Sequence, residues 1–381
     1  MKTILIFAGT RPEIIKMAPV VRELRARARS QNGWRAHFCF SGQHDELALP
    51  FLKYFDVEPD SRLEIMVAGQ SLGQLFSRAV AVLDAFVEKH SNASAALVQG
   101  DTTTAYAAAL SAFHHQIPVG HVEAGLRTSN VNEPFPEELN RRLISRIAKW
   151  HYAPTDTAKE NLLREGVPAR SVLVAQNPGL DSFLWTVDRA KSSIPAGLRV
   201  LSGKRVVLVT LHRRENIGAP LDRIATALAE LAKEFNEVCF VLPVHKNPEV
   251  AGPIRAKLGA IPNIHLSKPL EYPDLVWVMT NAELILTDSG GIQEEAPSLK
   301  RPVLVLRNET ERPEAVDYGT SFVVGSDIAR IVSTARGFLS GKKKLTLKKT
   351  GNPYGDGHAA AKIVDHLLSQ ISMEASSNQQ S

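Results

Sequence analysis

Short apolar runs alternate with longer amphipathic segments along nearly the whole chain, the pattern expected of parallel α/β units. Residues 4–8 read as a strand leading into a helix over about 14–29, and residues 36–41 as a strand leading into a helix over about 47–55. A strand at 95–99 precedes a helix at 103–114, and 119–122 is the next strand. After Pro136, apolar positions at Leu139, Leu143, Ile144 and Ile147 have the spacing of one buried helix face, and 150–153 and 172–175 are further strands. A second series repeats the layout at 205–210, 238–243, 264–266, 284–287, 303–306 and 321–324.

The polar stretch Lys191-Ser192-Ser193-Ile194-Pro195 marks a boundary between the two series, near 180–200. A last helix over about 358–372 follows the turn-rich Gly351-Asn352-Pro353-Tyr354-Gly355 and is expected to cross back to the first domain. The expected organisation is therefore residues 1–180 with 358–375 as one Rossmann-like domain, 195–355 as a second, and a polar, disordered tail at 376–381. Two strand-turn pairs look like counterparts between the halves. Phe7-Ala8-Gly9-Thr10-Arg11-Pro12-Glu13 resembles Thr210-Leu211-His212-Arg213-Arg214-Glu215-Asn216, and Val98-Gln99-Gly100-Asp101-Thr102 resembles Leu286-Thr287-Asp288-Ser289-Gly290. Two doubly wound domains facing each other are expected to bring the carboxyl ends of both sheets onto one cleft, where open α/β sheets bind ligands.

Composition narrows the class without naming a reaction. The 381 residues are 44% hydrophobic and 22% charged, as in a globular protein with room for two cores. The net charge is +5, part of it in Lys342, Lys343, Lys344, Lys348 and Lys349, which read as a solvated surface; with only 6% aromatic residues, nucleic-acid binding is not expected. Cys39 and Cys239 lie in apolar strand-like runs, outside any CxxC pair, and read as buried reduced thiols. The apolar N-terminus is too short for a signal peptide and no run of 18 apolar residues occurs, so a cytoplasmic protein is expected.

Several chemistries lose support. No GxGxxG follows a strand, and GxxxxGK[ST], HExxH and a GxSxG elbow are absent, which argues against dinucleotide, P-loop, zinc and serine-hydrolase chemistry. What remains is acids, bases and cations at strand ends. Ser289, Gly290 and Gly291 open a helix whose start carries Glu294 and Glu295, a layout suited to a phosphate and a ribose or else to an ordinary turn capped by Ser289. Arg11 and Lys16 lie where they can reach a diphosphate, or stand exposed at a helix start. Asp101 reads either as a catalytic group or as the N-cap of the next helix. Glu123, between an apolar strand and a glycine loop, is harder to explain as structure. Glu137 and Glu138 suit the first turn of their helix, and Arg141 lies at i+4 to Glu137, where it can hold Glu137 ionised. His212 stands among cations at a strand end, His245 resembles it one strand later, and Arg312 is a further phosphate or base contact.

Together these motifs resemble the non-hydrolysing UDP-N-acetylglucosamine 2-epimerase family. The match includes Gly9-Thr10-Arg11-Pro12-Glu13, Gly42-Gln43-His44, Gln99-Gly100-Asp101-Thr102-Thr103-Thr104 and His121-Val122-Glu123-Ala124-Gly125-Leu126-Arg127. It continues through Pro136-Glu137-Glu138, His212-Arg213-Arg214-Glu215-Asn216, Asp288-Ser289-Gly290-Gly291-Ile292-Gln293-Glu294-Glu295 and Glu311-Arg312-Pro313-Glu314. The resemblance implies the GT-B architecture and inversion of C2 of UDP-N-acetylglucosamine through a 2-acetamidoglucal. It implies catalytic roles for Asp101, Glu123, Glu137 and His212, and UDP contacts from Arg11, Ser289, Gly290, Gly291, Glu295 and Arg312, to which the reading of the residues themselves adds Lys16 and Arg141 as substrate-site cations. Residues matching a second, activating substrate site are Gln43, His44, Arg213 and His245, although the chain departs from the family pattern at Asp45-Glu46-Leu47-Ala48 and Gly69. No metal, cofactor, nucleic acid or membrane is implied, and a homodimer is. The alternatives are a 2-epimerase of a modified sugar such as a UDP-2,3-diacetamido uronic acid, a GT-B glycosyltransferase, and a UDP-sugar-binding regulator without turnover.

Overall fold

The apolar runs become strands because helices cover both faces of each sheet, and among the described residues all the strand pairings are parallel. The computed structural model describes residues 1–30, 33–43, 45–128, 130–191, 194–245, 247–310, 312–348 and 351–377. The chain divides into two units, Met1–Ser182 with Tyr354–Ser381, and Phe183–Pro353. The first holds β1 (Lys2–Ala8), α1 (Arg11–Ser30), β2 (Trp34–Phe40), α2 (Asp45–Tyr54), β3 (Ser61–Arg62), α3 (Leu72–Glu88), β4 (Ala95–Gln99), α4 (Thr103–His114), β5 (Val119–Val122), α5 (Glu137–Ile147), β6 (Trp150–Ala153), α6 (Asp156–Arg164) and β7 (Val172–Val174). The division falls inside α7 (Pro178–Ala190). The second holds β8 (Arg205–Thr210), α8 (Ala219–Glu234), β9 (Val238–Pro243), α9 (Pro248–Leu258), β10 (Ile264–Ser267), α10 (Tyr272–Asn281), β11 (Ala282–Thr287), α11 (Gly290–Glu295), β12 (Val303–Val305), α12 (Pro313–Tyr318), β13 (Ser321–Val323) and α13 (Ile328–Leu339). The last helix, α14 (Ala359–Ser377), belongs to the first unit, where Lys2 Nζ donates to Ile371 O and Arg27 pairs with Asp365.

Strand order is β3-β2-β1-β4-β5-β6-β7 in the first sheet and β10-β9-β8-β11-β12-β13 in the second. In each, the order reverses at one central pair, β1 and β4 or β8 and β11, and helix N-termini diverge there to leave a crevice at the strand ends. The counterpart motifs are the segments that follow these four strands. The cores are built alike: in α1, Ile14, Met17, Ala18, Val21 and Leu24 are buried along one stripe, and in α8 Leu221, Ile224, Ala225, Leu228 and Leu231 do the same. Each fully buried Leu or Ile contributes ~1.5–3 kcal/mol relative to exposure, which stabilises the packing of these helices on their sheets.

Several expectations are corrected. Leu139 on α5 is 44% exposed, and the buried residues of that helix are Glu138, Asn140, Ile144 and Ser145; the apolar spacing misleads because this face meets a polar site. Ser376 and Ser377, read as disordered tail, continue α14, while residues 378–381, Ser192, Ser193 and Lys349 lie outside the described residues. Helix α3 has a signal in the sequence that apolar periodicity alone left unread: Ser71 Oγ accepts from Gln74 N and Gln74 Oε1 accepts from Ser71 N, a capping box before Leu75, Ala79 and Leu83. Cys39 and Cys239 are buried free thiols, and burial raises both pKa values. Lys342, Lys343, Lys344 and Lys348 are exposed, and Lys343 Nζ lies over the rings of Phe322 and Phe338. Among the described residues no helix is long and apolar enough to cross a membrane.

His121 and His151 are register partners on β5 and β6 and are buried. Burial, reinforced by nearby Arg127, lowers them to about 3 and about 4. The unfolded chain takes up these protons near pH 6.5 whereas the folded one does so only well below, so their stabilisation is complete above pH 6.5 and is lost as pH falls. His151→Gln is therefore expected to flatten the acid limb of the stability curve by about 1.4 kcal/mol per pH unit between about pH 6 and pH 4. Urea melts of both proteins across that window check it, and parallel curves would contradict it.

Candidate active site

In the first unit the turn after β1 is tied to the turn after β4. Glu13, 3% exposed, accepts from Gly9 N at 2.9 Å, Thr10 N at 2.7 Å and Thr102 Oγ1 at 2.7 Å. Burial raises the Glu13 pKa against the pull of these donors. This acid spends its lone pairs on structure, and sequence reading passed over it. Arg11 is exposed at the same turn, its guanidinium 5.7 Å from the Phe51 ring centre.

Two other carboxylates stand differently. Glu123 follows β5 with a left-handed φ of +65°, a costly conformation for a non-glycine residue, and is 6% exposed. Both its carboxylate oxygens accept from Lys16 Nζ at 2.6 Å, Gln99 Nε2 donates to Oε2, and Asn177 Nδ2 approaches Oε1 at 3.5 Å. Gly125, two residues on, has φ +90° and lies so close to Ala158 O that a Cβ would stand 2.1 Å from it. Only glycine fits there, which fixes the loop that carries Glu123.

Asp101 is not the N-cap of α4: Thr102 is, its Oγ1 accepting from Ala105 N at 3.0 Å. Asp101 is thus left for another purpose. Burial raises its pKa, Arg141 opposes the rise, and the neighbouring Glu123 charge adds to it. Arg141 does not serve Glu137 as i+4 spacing predicts. Its Nε and Nη2 donate to Asp101, and its Nη1 donates to Glu138 Oε2 at 3.1 Å. Glu138 is fully buried and also accepts from Arg142 Nε and Thr128 N, so it orients the arginine that holds Asp101. Glu137, half-buried, begins α5 at the edge of this cluster. Thr104 Oγ1 donates to Gln43 Oε1 at 2.5 Å, and His44 lies outside the described residues.

In the second unit, the strand ends of β8 and β11 converge on Asp288. This fully buried carboxylate pairs with His212 Nδ1 at 2.8 Å and accepts from His212 N, Arg213 N and Asn216 Nδ2, each at 3.0 Å. Burial opposes its ionisation, but the His212 hydrogen bond and charge and the two backbone donors prevail and lower its pKa. Asp288 therefore stays ionised and accepts from Nδ1–H of His212, which fixes the ring and places Nε2 on the side away from the carboxylate. Sequence reading placed Asp288 in its motif without this role.

Ser289 makes no side-chain cap to α11, which removes the capping reading. A side chain at Gly290 would stand 3.7 Å from Arg213 Nη2 and 3.9 Å from Arg312 Nη2, so two guanidinium groups flank the start of the helix. Arg312 Nε donates to the buried Glu294, and Glu311 lies outside the described residues. Glu295 accepts from Tyr272 Oη at 3.1 Å. Beside His212 and His245, a cavity of about 130 Å³ is walled by Leu211, Pro243, Val244, Leu270 and Leu275. His245 is exposed, its Nδ1 accepting from Asn247 N. A helix start with two guanidinium groups suits an oxyanion pair such as a diphosphate, and strand-end carboxylates with distinct partners suit proton transfer.

Comparison with known proteins gives a family. Residues 26–368 match the family model described as UDP-N-acetylglucosamine 2-epimerase. A Yersinia pestis UDP-N-acetylglucosamine 2-epimerase is 44% identical over 375 residues, covering 96% of this chain and 98% of the relative. The crystal structure of the Neisseria meningitidis UDP-GlcNAc 2-epimerase bound to UDP-GlcNAc is 41% identical, covers 97% of this chain and 100% of its own, and superposes with a TM-score of 0.87. The S. aureus MnaA-UDP co-structure is 39% identical, with coverages of 98% and 96% and a TM-score of 0.86.

Proposed function

We propose, from the premise that this chain belongs to the UDP-N-acetylglucosamine 2-epimerase family, that it inverts C2 of UDP-N-acetylglucosamine by eliminating and re-adding UDP. The observation that carries this reading is the pair of carboxylates, Asp101 and Glu123, held by different cations at the ends of adjacent strands. The hydrogen at C2 has no carbonyl beside it, so enolisation is unavailable. Elimination solves this: the C1–O bond breaks with its electron pair on the β-phosphate oxygen, a carboxylate takes the C2 proton, and the C2–H electrons become the C1=C2 bond of a 2-acetamidoglucal. Return of a proton to the opposite face of C2, with attack of UDP on C1, completes the inversion. Two faces need two differently placed acid/base groups, drawn from Asp101, Glu123 and Glu137.

In this reading the second unit holds the leaving group. Arg213, Arg312 and the Ser289–Gly290–Gly291 turn receive the diphosphate, His212 in its doubly protonated form, with Nδ1–H on Asp288, donates from Nε2–H to its departing oxygen, Glu295 accepts from ribose, and the apolar cavity takes the uracil ring. Arg11 and Lys16 add positive charge for the diphosphate, and Arg141 holds Asp101. Incubation with UDP-N-acetylglucosamine in deuterium oxide is expected to give UDP-N-acetylmannosamine with deuterium at C2, followed by NMR. Product that keeps its protium would refute elimination, and no product at all would refute the epimerase reading.

A further inference from the structure

Asp101 is gripped through its backbone as well as its carboxylate. Gly100 O accepts from His121 Nε2 at 2.7 Å, and Asp101 O accepts from Asn140 Nδ2 at 2.9 Å. The two donors come from different elements, β5 and α5, and both are buried. The turn they hold needs an anchor: Gly100 has φ +71°, and a glycine hinge has little preference of its own. Position matters here because Glu123 Oε2 lies 3.8 Å from where a Cβ on Gly100 would stand. A pivot about Gly100 changes the spacing between Asp101 and Glu123.

We propose that His121 and Asn140 are positioning residues that set Asp101 against Glu123, with His121 as a fixed Nε2–H donor. This rests on the proton-transfer role of Asp101 and Glu123 given above. Two features separate His121 from a packing residue. A carbonyl acceptor demands the Nε2–H tautomer, which leaves Nδ1 as the acceptor nitrogen, and that atom is buried with no partner among the described residues. An apolar ring would avoid this desolvation cost, so the imidazole is retained for its donor. Burial, with His151, Arg127 and Arg141 nearby, disfavours a second proton on the ring, so the donor does not change with pH in the neutral range. His121 also lies two residues before Glu123, so one strand end carries one acid and anchors the turn of the other.

The test uses amide isosteres. Gln places its amide nitrogen near the position of imidazole Nε2, whereas Phe keeps the ring and lacks the donor. His121→Phe is expected to lower kcat about 100-fold, as for an ångström-scale misplacement of a catalytic group, with KM and UDP affinity within about threefold. His121→Gln is expected to restore kcat to within about fivefold of the native value, because the donor returns. Asn140→Ser, which removes the second anchor, is expected to lower kcat at unchanged UDP affinity and carries the test if His121→Phe does not fold. Native kcat in Asn140→Ser and in folded His121→Phe would overturn the proposal, as would a His121→Gln enzyme that binds UDP normally yet is as slow as the Phe variant. Asp101→Asn run alongside separates the two levels: full activity there refutes the proton-transfer reading itself.

Discussion

Glu123→Gln is expected to abolish C2 proton exchange and epimerisation, by about 10³-fold or more, while UDP affinity stays within about threefold. The amide matches the carboxylate in shape and keeps an acceptor for Lys16 and Gln99 but cannot take a proton. Lys16 Nζ then faces a neutral partner in place of two carboxylate oxygens at 2.6 Å. UDP is assigned chiefly to residues of the second unit, with Arg11 and Lys16 adding charge, so its affinity reports whether the damage is local. NMR exchange of the C2 hydrogen and calorimetric UDP titration, run on one preparation, check both halves. Lost UDP binding would move Glu123 from the chemistry to the binding site or to the fold. The strained φ of +65° at Glu123 bears on the choice of variant, because Gln carries no additional steric demand there and leaves the loop as it is.

The parallel architecture was legible because strands buried on both faces read as unbroken apolar runs, and β4, α4 and β5 fall where the pattern puts them. The strand-end motifs were legible for a topological reason: the two internal counterpart pairs turn out to follow the central strands of each sheet, β1 with β4 and β8 with β11. What failed depends on contacts distant in sequence. Arg141 looks like a partner of Glu137 because helical spacing is local, yet the carboxylate 40 residues away at Asp101 wins it. Leu139 looks buried by the same local logic, and the fold instead turns Glu138 and Asn140 inward to serve the β4–α4 turn. Glu13 and His121 were present in quoted motifs, but a buried polar group reveals its task only when its partners are known. The capping role of Thr102 shows the reverse case: a one-residue shift in the cap released Asp101 from a structural explanation.

Asp288→Asn is expected to lower kcat by about 10²- to 10³-fold and to destabilise the second unit by about 3 kcal/mol. The carboxylate is fully buried and satisfies donors from His212 Nδ1, His212 N, Arg213 N and Asn216 Nδ2 at once. An asparagine replaces one acceptor oxygen with a donor amide, so part of this ring of donors is left unpaired in the interior. If the amide nitrogen faces the imidazole, Nδ1 can only accept, so the ring can no longer carry protons on both nitrogens and Nε2–H reaches the departing phosphate oxygen as a neutral donor in place of a charge-assisted one. A direct role for Asp288 in the reaction predicts something different from a role through His212, and a double-mutant cycle separates them. Acting through His212, Asp288→Asn adds little further loss of kcat once His212→Ala is present, although its destabilisation persists in thermal melts. Losses in kcat that multiply across the two sites would instead place Asp288 in a separate catalytic step, and His212 would no longer be the group that receives its orienting effect.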